Sequence, residues 1–374
     1  MATRRANREG SIYRRKDGRW AASLSLGNGR RKTFYAQTRQ EASAKLTAAL
    51  RNCQLGVPPS DSSQTVGQYL TNWLERSVRP SVRPRTYESY DLNVRRLAPH
   101  LGRYRLSALS PAAIEGSYGA LLEAGLSRRS VEQAHAVLHR ALAQAVKWGL
   151  LGRNPSQAVN VPRPQRREMR TLDEGQAQRL FEATADHRLH GLWVLLVTTG
   201  LRLGEALGRR WEDIDLTAGR LVVKRALQRQ REAGLVFVEP KSAKSRRTVH
   251  LAGGTVATLR EHRRRQLVER LHAGPAWQDH DLAFCREDGR PLEPSGVAER
   301  FREALKVADL PRLRVHDLRH TAATLLLGRG VHPKVVQELL GHSTISLTLD
   351  TYSHVTPALH AEVATHMDAI FKPR

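Results

Sequence analysis

Two proline-bearing interruptions constrain this chain most. VPPSDSSQ, from Val57 to Gln64, has the Pro, Ser and Asp content of a linker, and GRNPSQAVNVPRPQRRE, from Gly152 to Glu168, combines three prolines with several arginines. A chain of 374 residues suits two or three domains, each with a core of ordinary size. Cuts at these places leave segments 1–56, 64–160 and 168–374, and the fold class expected from them is α+β and multidomain.

Composition narrows the partner. The formal net charge is +25, and the arginines are spread along the whole chain. That excess favours a polyanion, and nucleic acid over a membrane surface, although an arginine-rich codon preference would account for part of it. Cys53 and Cys285 are the only cysteines, too few for a disulfide framework or a Cys-rich zinc site, and they imply a reducing compartment. MATRRANREG has no apolar stretch after its charges, and the longest apolar segment, around Leu192 to Val197, is far short of the roughly 20 residues of a membrane span. A cytoplasmic, nucleoid-associated protein with no membrane partner is expected.

In residues 1–56, SIYRR, WAASLSL and RKTFYA alternate apolar and polar positions and are separated by the turn signals KDG and GNG, which predicts a three-stranded antiparallel sheet. Thr38 with Glu41 reads as a capping box for a helix reaching about Gln54, so one helix covers one sheet face. The uncovered face should be cationic, with Arg14, Arg15, Lys16, Arg30, Arg31 and Lys32 as candidate DNA contacts; a solvated basic surface is the plainer alternative. From Thr65, itself paired with Gln68 in a second capping box, apolar spacing predicts a helical bundle, with later helices over 85–97, 111–123 and 130–148. Trp73 and Tyr90 are expected in its core, and Arg83 and Arg85 are placed to reach backbone phosphates.

In residues 168–374, Thr171 with Glu174 reads as a helix cap, and the apolar run around Leu192 leads a buried helix into TTGLRLGEAL. Gly200 and Gly204 flank Arg202 and would let backbone approach a ligand closely, while Glu205 would orient an arginine. RLVVKRAL, LVFVEP and RRTVHL suggest one small antiparallel sheet with Lys241 at the turn into its third run. Lys244, Arg246 and Arg247 read as nonspecific phosphate contacts. Helices are predicted over 253–272, 294–307 and 358–371.

The chemistry concentrates between Arg314 and His354. If His316 opens a helix, Arg319 three residues on shares its face, so both can grip one phosphate; Gly341 permits a turn before His342, and Tyr352 supplies a phenol further on. A phenol with an ordinary pKa of about 10 becomes a nucleophile only beside cations or a base.

HDLRH followed by LGHSTISLTLDTYSH resembles the box II segment of the tyrosine recombinase (phage integrase) family, and TTGLRLGE is similar to its upstream arginine segment. The resemblance implies Arg202, Lys241, His316, Arg319, His342 and Tyr352 as catalytic residues with Glu205 in support, and Lys244 as the rival to Lys241. It also implies an N-terminal arm-type DNA-binding module, a helical core-binding bundle of the SAM-like kind, and a mainly helical catalytic domain with a small antiparallel sheet. The activity implied is site-specific recombination of double-stranded DNA through a 3'-phosphotyrosyl ester, by a homotetramer on core and arm sites of a mobile element. No cofactor or metal is expected, and an excisionase or DNA-bending protein is the kind of accessory partner such systems use. The last predicted helix would pack on a neighbouring subunit or on its own domain.

Three other readings compete. A metal enzyme is suggested by His316 and His320 at i, i+4, but HExxH is lacking and the neighbours are arginines. A noncatalytic DNA-binding regulator leaves the Arg, His and Tyr set unexplained. A type IB topoisomerase-like enzyme would share that set, and sequence specificity of cleavage separates it.

Overall fold

Strand alternation and helix caps decide where the elements of this chain begin. The structure, a computed structural model, describes residues 10–25, 31–54, 64–164, 169–239 and 246–341. The chain divides into two units, residues 1–166 and 167–374.

In the first unit, β1 (Ser11–Arg14), β2 (Trp20–Ser25) and β3 (Arg31–Ala36) form an antiparallel sheet in that order, with Ala22 opposite Ile12 and Phe34. The alternate residues Ile12, Trp20, Ala22, Leu24 and Phe34 pack on Ala42 and Leu46 of α1 (Arg39–Gln54). The Glu41 amide donates to Thr38 Oγ1 (3.2 Å), but the Glu41 carboxylate accepts from the Gln37 amide, one residue before the expected partner.

A separate core is built by α2 (Val66–Trp73), α3 (Pro84–Leu101), α4 (Pro111–Glu123) and α5 (Arg128–Lys147). Both halves of the Thr65–Gln68 capping box are present, at 3.0 and 3.3 Å. Pro84 and Pro111 stand in first turns, where a missing N–H costs nothing. Trp73 is buried and stacks on Tyr90, whose hydroxyl accepts from Arg140 at 2.8 Å.

The second unit contains α6 (Glu174–Ala183), α7 (His190–Thr199), α8 (Leu203–Leu207), β4 (Ile214–Asp215), β5 (Arg220–Val222), β6 (Ala226–Gln230), β7 (Gly234–Val238), β8 (Thr248–His250), α9 (Gly253–Ala273), α10 (Pro294–Val307), α11 (Asp317–Gly328) and α12 (Pro333–Leu340). Helix α7 is apolar on every side and buries Leu192, Trp193, Leu195 and Leu196 in the core. The cap of α6 is Asp173, not Thr171: its carboxylate accepts from the Gln176 amide (2.7 Å), and Gln176 returns the bond.

The expected single sheet is two. Strand β5 lies between β4 and β8, whereas β6 and β7 form their own hairpin, so LVFVEP pairs with ALQRQ rather than with RRTVHL. The fully buried Arg209 explains the break. Its guanidinium donates to the carbonyls of Val222 and Arg225, and its Nε to Glu205 O (2.9 Å), so the backbone turns out of the ladder between β5 and β6 to satisfy a buried cation. Burial pushes the Arg209 pKa down to about 10.

The glycines beside Arg202 serve packing within the protein instead of ligand approach. Gly200 ends α7 at φ 62°, and a Cβ there would stand 2.4 Å from Leu340 Cδ2; a Cβ on Gly204 would stand 2.7 Å from Leu227 O. Gly200→Ala therefore combines a left-handed backbone with an overpacked contact, and we expect a loss of roughly 2–4 kcal/mol in thermal unfolding. Gly253→Ala, where a Cβ meets open space, is the control and should leave the melting temperature within about a degree or two.

Candidate active site

The turn before α11 is closed by Asp317, which accepts the Arg314 amide (2.8 Å) and pairs with the Arg314 guanidinium (2.9 Å). This sets His316 at the helix cap with its ring perpendicular to that of His320, 5.2 Å between centroids. His316 is open to solvent on one side, yet the surrounding protein, followed by the charges of His320, Arg319 and Arg202, pushes its pKa down to about 4 against the opposing pull of Asp317. Both arginines of the sequence motifs thus act electrostatically on one imidazole. The ring is neutral at physiological pH and able to accept a proton.

Arg319 does not share an open face with His316. It is buried, donating through Nη1 to Gly200 O (2.8 Å) and through Nη2 to Leu340 O (2.6 Å). Those carbonyls stand at the C-terminal ends of α7 and α12, where helix dipoles concentrate negative charge. Arg202 is the accessible member: it takes the N-cap position of α8 with its side chain 42% exposed.

Glu205 orients Arg202, as the sequence suggests, and binds a second arginine too. Its Oε1 accepts from Arg202 Nη1 (2.8 Å), and its Oε2 accepts from the Arg202 amide (3.1 Å) and from Arg247 Nη2 (2.9 Å). Burial raises the Glu205 pKa, but Arg247 and then Arg202 outweigh it and keep the carboxylate below its usual range. Arg247 reads from the sequence as a phosphate contact, and Arg209 carries no functional expectation; the Arg247 side chain is only 8% exposed and Arg209 is fully buried. Strand alternation carried a signal for Arg247, because Val249 and Leu251 on the same parity are also buried. Arg209 stands four residues from both Glu205 and Asp213, a spacing that places carboxyl groups on either side.

His342 and Tyr352 lie outside the described residues, as do Lys241, Lys244 and Arg30, the linker at 57–63 and the predicted helix at 358–371. The sheet candidates separate by parity. Arg31 and Arg15 belong to the open face, where the Arg15 guanidinium lies 5.0 Å from the Tyr35 ring centre and Tyr13 and Tyr35 flank the small Ala21. Arg14 and Lys32 fall on the alternate positions, the parity of the face that packs on α1, with Arg14 exposed at the strand end, and Lys16 lies in the hairpin turn. Arg83 caps α3 and Arg85 follows it, both exposed. Among the described residues no helix is long and apolar enough to cross a membrane.

Known proteins resemble this chain in sequence and fold. Residues 170–358 match the model of the phage integrase family, and residues 65–121 that of the phage integrase N-terminal SAM-like domain. A tyrosine recombinase XerC-like protein of Caldanaerobacter subterraneus subsp. tengcongensis is 31% identical over 360 residues, covering 91% of this chain and 92% of its own. Among solved structures, the Tn1549 transposon integrase in complex with a circular intermediate DNA matches with a TM-score of 0.70 at 21% identity, over 81% of this chain and 99% of that one. A lambda integrase tetramer bound to a Holliday junction matches with a TM-score of 0.58 at 18% identity, over 93% of this chain and 96% of that one. The mixed α and β architecture with its small sheets is that of the tyrosine integrases. The chain belongs to the phage integrase family, the tyrosine recombinases, and is an enzyme of site-specific DNA recombination.

The His316 shift has a measurable consequence. Unfolded chains bind the proton at the ordinary value of 6.5 and the folded protein only near 4, so folding stability falls as pH drops from about 6.5 to about 4 and levels off below. We expect His316→Gln to flatten part of that fall in a series of melting temperatures while leaving the midpoint near pH 7.5 little changed; parallel curves for the two proteins would rule out a depressed pKa at His316.

Proposed function

We propose that this recombinase cuts and rejoins DNA through a 3'-phosphotyrosyl intermediate formed by Tyr352. The carrying observation is that Arg319 donates to Gly200 O at 2.8 Å, two residues before Arg202, so the two boxes, distant in sequence, meet in the fold. The phenolate oxygen of Tyr352 attacks the scissile phosphorus, the bond to the 5' oxygen breaks, and the ester conserves the phosphodiester for religation without ATP. Arg202, with His342, stabilises the charge on the nonbridging oxygens, while Arg319, buried against Gly200 O and Leu340 O, holds the segments that carry them. The phenol proton passes to a neighbouring base or to solvent, with His316 as an assisting acid/base or phosphate ligand, and Lys241 supplies a proton to the leaving 5' oxygen, work for which arginine is a poor donor; Lys244 remains its rival. Guanidinium groups provide the positive charge, so the mechanism requires no metal.

The chain is read as three domains: 1–56 binding arm-type DNA through the open sheet face, 64–160 binding the core site, and 168–374 carrying catalysis. The double-stranded DNA partner is supported by the basic surface and by the DNA-bound neighbours, the tetramer by the lambda integrase assembly, and the role in integrating and excising a mobile element by the transposon integrase. Action on the chromosome places it in the cytoplasm at the nucleoid, where an excisionase or DNA-bending protein would set direction.

Covalent trapping on nicked suicide duplexes tiled across the DNA flanking the gene tests this reading. Wild type should form an adduct that survives denaturing gels and EDTA, and Tyr352→Phe should reduce it by at least about a thousandfold, as loss of a nucleophile does. An adduct that persists in Tyr352→Phe would move the nucleophile elsewhere, and tight binding without any adduct would favour a noncatalytic regulator.

A further inference from the structure

One guanidinium outside the motif set joins the backbone and side chains that the chemistry uses. Arg247 opens the strand edge before β8, where its carbonyl accepts from the Val223 amide at 2.8 Å. Its side chain is only 8% exposed, and Glu205, equally buried, meets it fork to fork at 2.9 and 3.4 Å. The remaining edge of the fork, Nε, donates to Leu339 O at 2.7 Å. Gly341, at φ 66°, lies against the same group: a Cβ there would stand 3.1 Å from Arg247 Nη1.

These contacts form a chain from the end of α12 through Arg247 and Glu205 to Arg202. A carboxylate facing Arg202 alone would draw off its charge and let it rotate. With Arg247 sharing the carboxylate, Glu205 is neutralised from one side while its Oε1 still orients Arg202, whose exposed charge stays available to an anion. The same guanidinium fixes the carbonyl two residues before Gly341, the last described residue ahead of His342. Arg319 holds the adjacent Leu340 carbonyl, so two arginines grip successive carbonyls of this turn.

We propose that Arg247 is a positioning residue for DNA cleavage, presenting Arg202 through Glu205 and holding the backbone that leads into His342. The proposal rests on the tyrosine mechanism above. It distinguishes Arg247 from its neighbour Arg246, whose exposed side chain pairs with exposed Glu239.

The test measures single-turnover adduct formation and DNA affinity separately, on the nicked duplex that traps wild type. Arg247→Gln is expected to bind that duplex within about threefold of wild type and to cleave it about a hundredfold more slowly, the loss that small displacements of a reacting group produce. Arg247→Lys, which keeps the charge and loses the fork, should lose about tenfold. Arg247→Gln combined with Glu205→Gln should be less impaired than the product of the single losses, because the carboxylate that would draw on Arg202 is gone. Wild-type cleavage rates in both single variants overturn the proposal, as does a defect confined to affinity. Should Arg247→Gln not fold, as judged by thermal unfolding, Arg247→Lys decides: a slower rate at unchanged affinity supports the assignment and a wild-type rate overturns it. Failure of wild type itself to form an adduct counts against the tyrosine mechanism and is read independently of the Arg247 variants.

Discussion

A buried arginine must find acceptors, and the catalytic unit is arranged around how Arg319 does so. Its guanidinium meets the carbonyls of Gly200 and Leu340, at the ends of α7 and α12. Helix C-termini offer carbonyls that their own ladders leave unpaired, and their partial negative charge suits a cation removed from water. Both ends turn through glycines at positive φ, and Gly200 admits the Leu340 side chain where a Cβ would collide. One interaction therefore sets α7, α11 and α12 together, and with them the segments that carry Arg202 and lead to His342.

Around this joint the charges are graded by exposure. Arg209 is fully buried and spent on backbone carbonyls and Asp213; Arg247 is nearly buried and paired with Glu205; Arg202, oriented by that same carboxylate, remains open. Desolvation makes the inner cations rigid, since each must keep its partners, and leaves the outer one as the point where an anion can be met. Burial first, then His320, Arg319 and Arg202, disfavour a charge on His316, so it does not add a third cation beside the two arginines. The same logic explains why a protein of net charge +25 keeps carboxylates such as Glu205 in its interior: they orient arginines.

Much of this was legible in the chain. Capping residues announced α1 and α2, and Pro294 and Pro111 marked helix starts because proline loses nothing there. Strand alternation located β1, β2 and β3, and the Arg202 and His316 to Arg319 motifs stood out by spacing. Local patterns misled where a nonlocal partner decided. LVFVEP has the composition of a strand beside RRTVHL, yet Arg209 breaks the ladder between β5 and β6 and the segment pairs with its own hairpin. Lys32 looks like a member of the open basic surface, but parity puts it on the face that α1 packs against, where it is half-buried.

Element types and the residue set for anion chemistry follow from periodicity, caps and motif spacing, all of which are properties of neighbouring residues. Which arginine is buried and which is open depends on acceptors brought from tens of residues away, as Arg247 finds Glu205 and Leu339 O, and Arg319 finds Gly200 O. A guanidinium carries the same charge and donors in every sequence context. Only the folded chain, by deciding which carbonyls and carboxylates lie within hydrogen-bond reach, makes one arginine a joint and another a site.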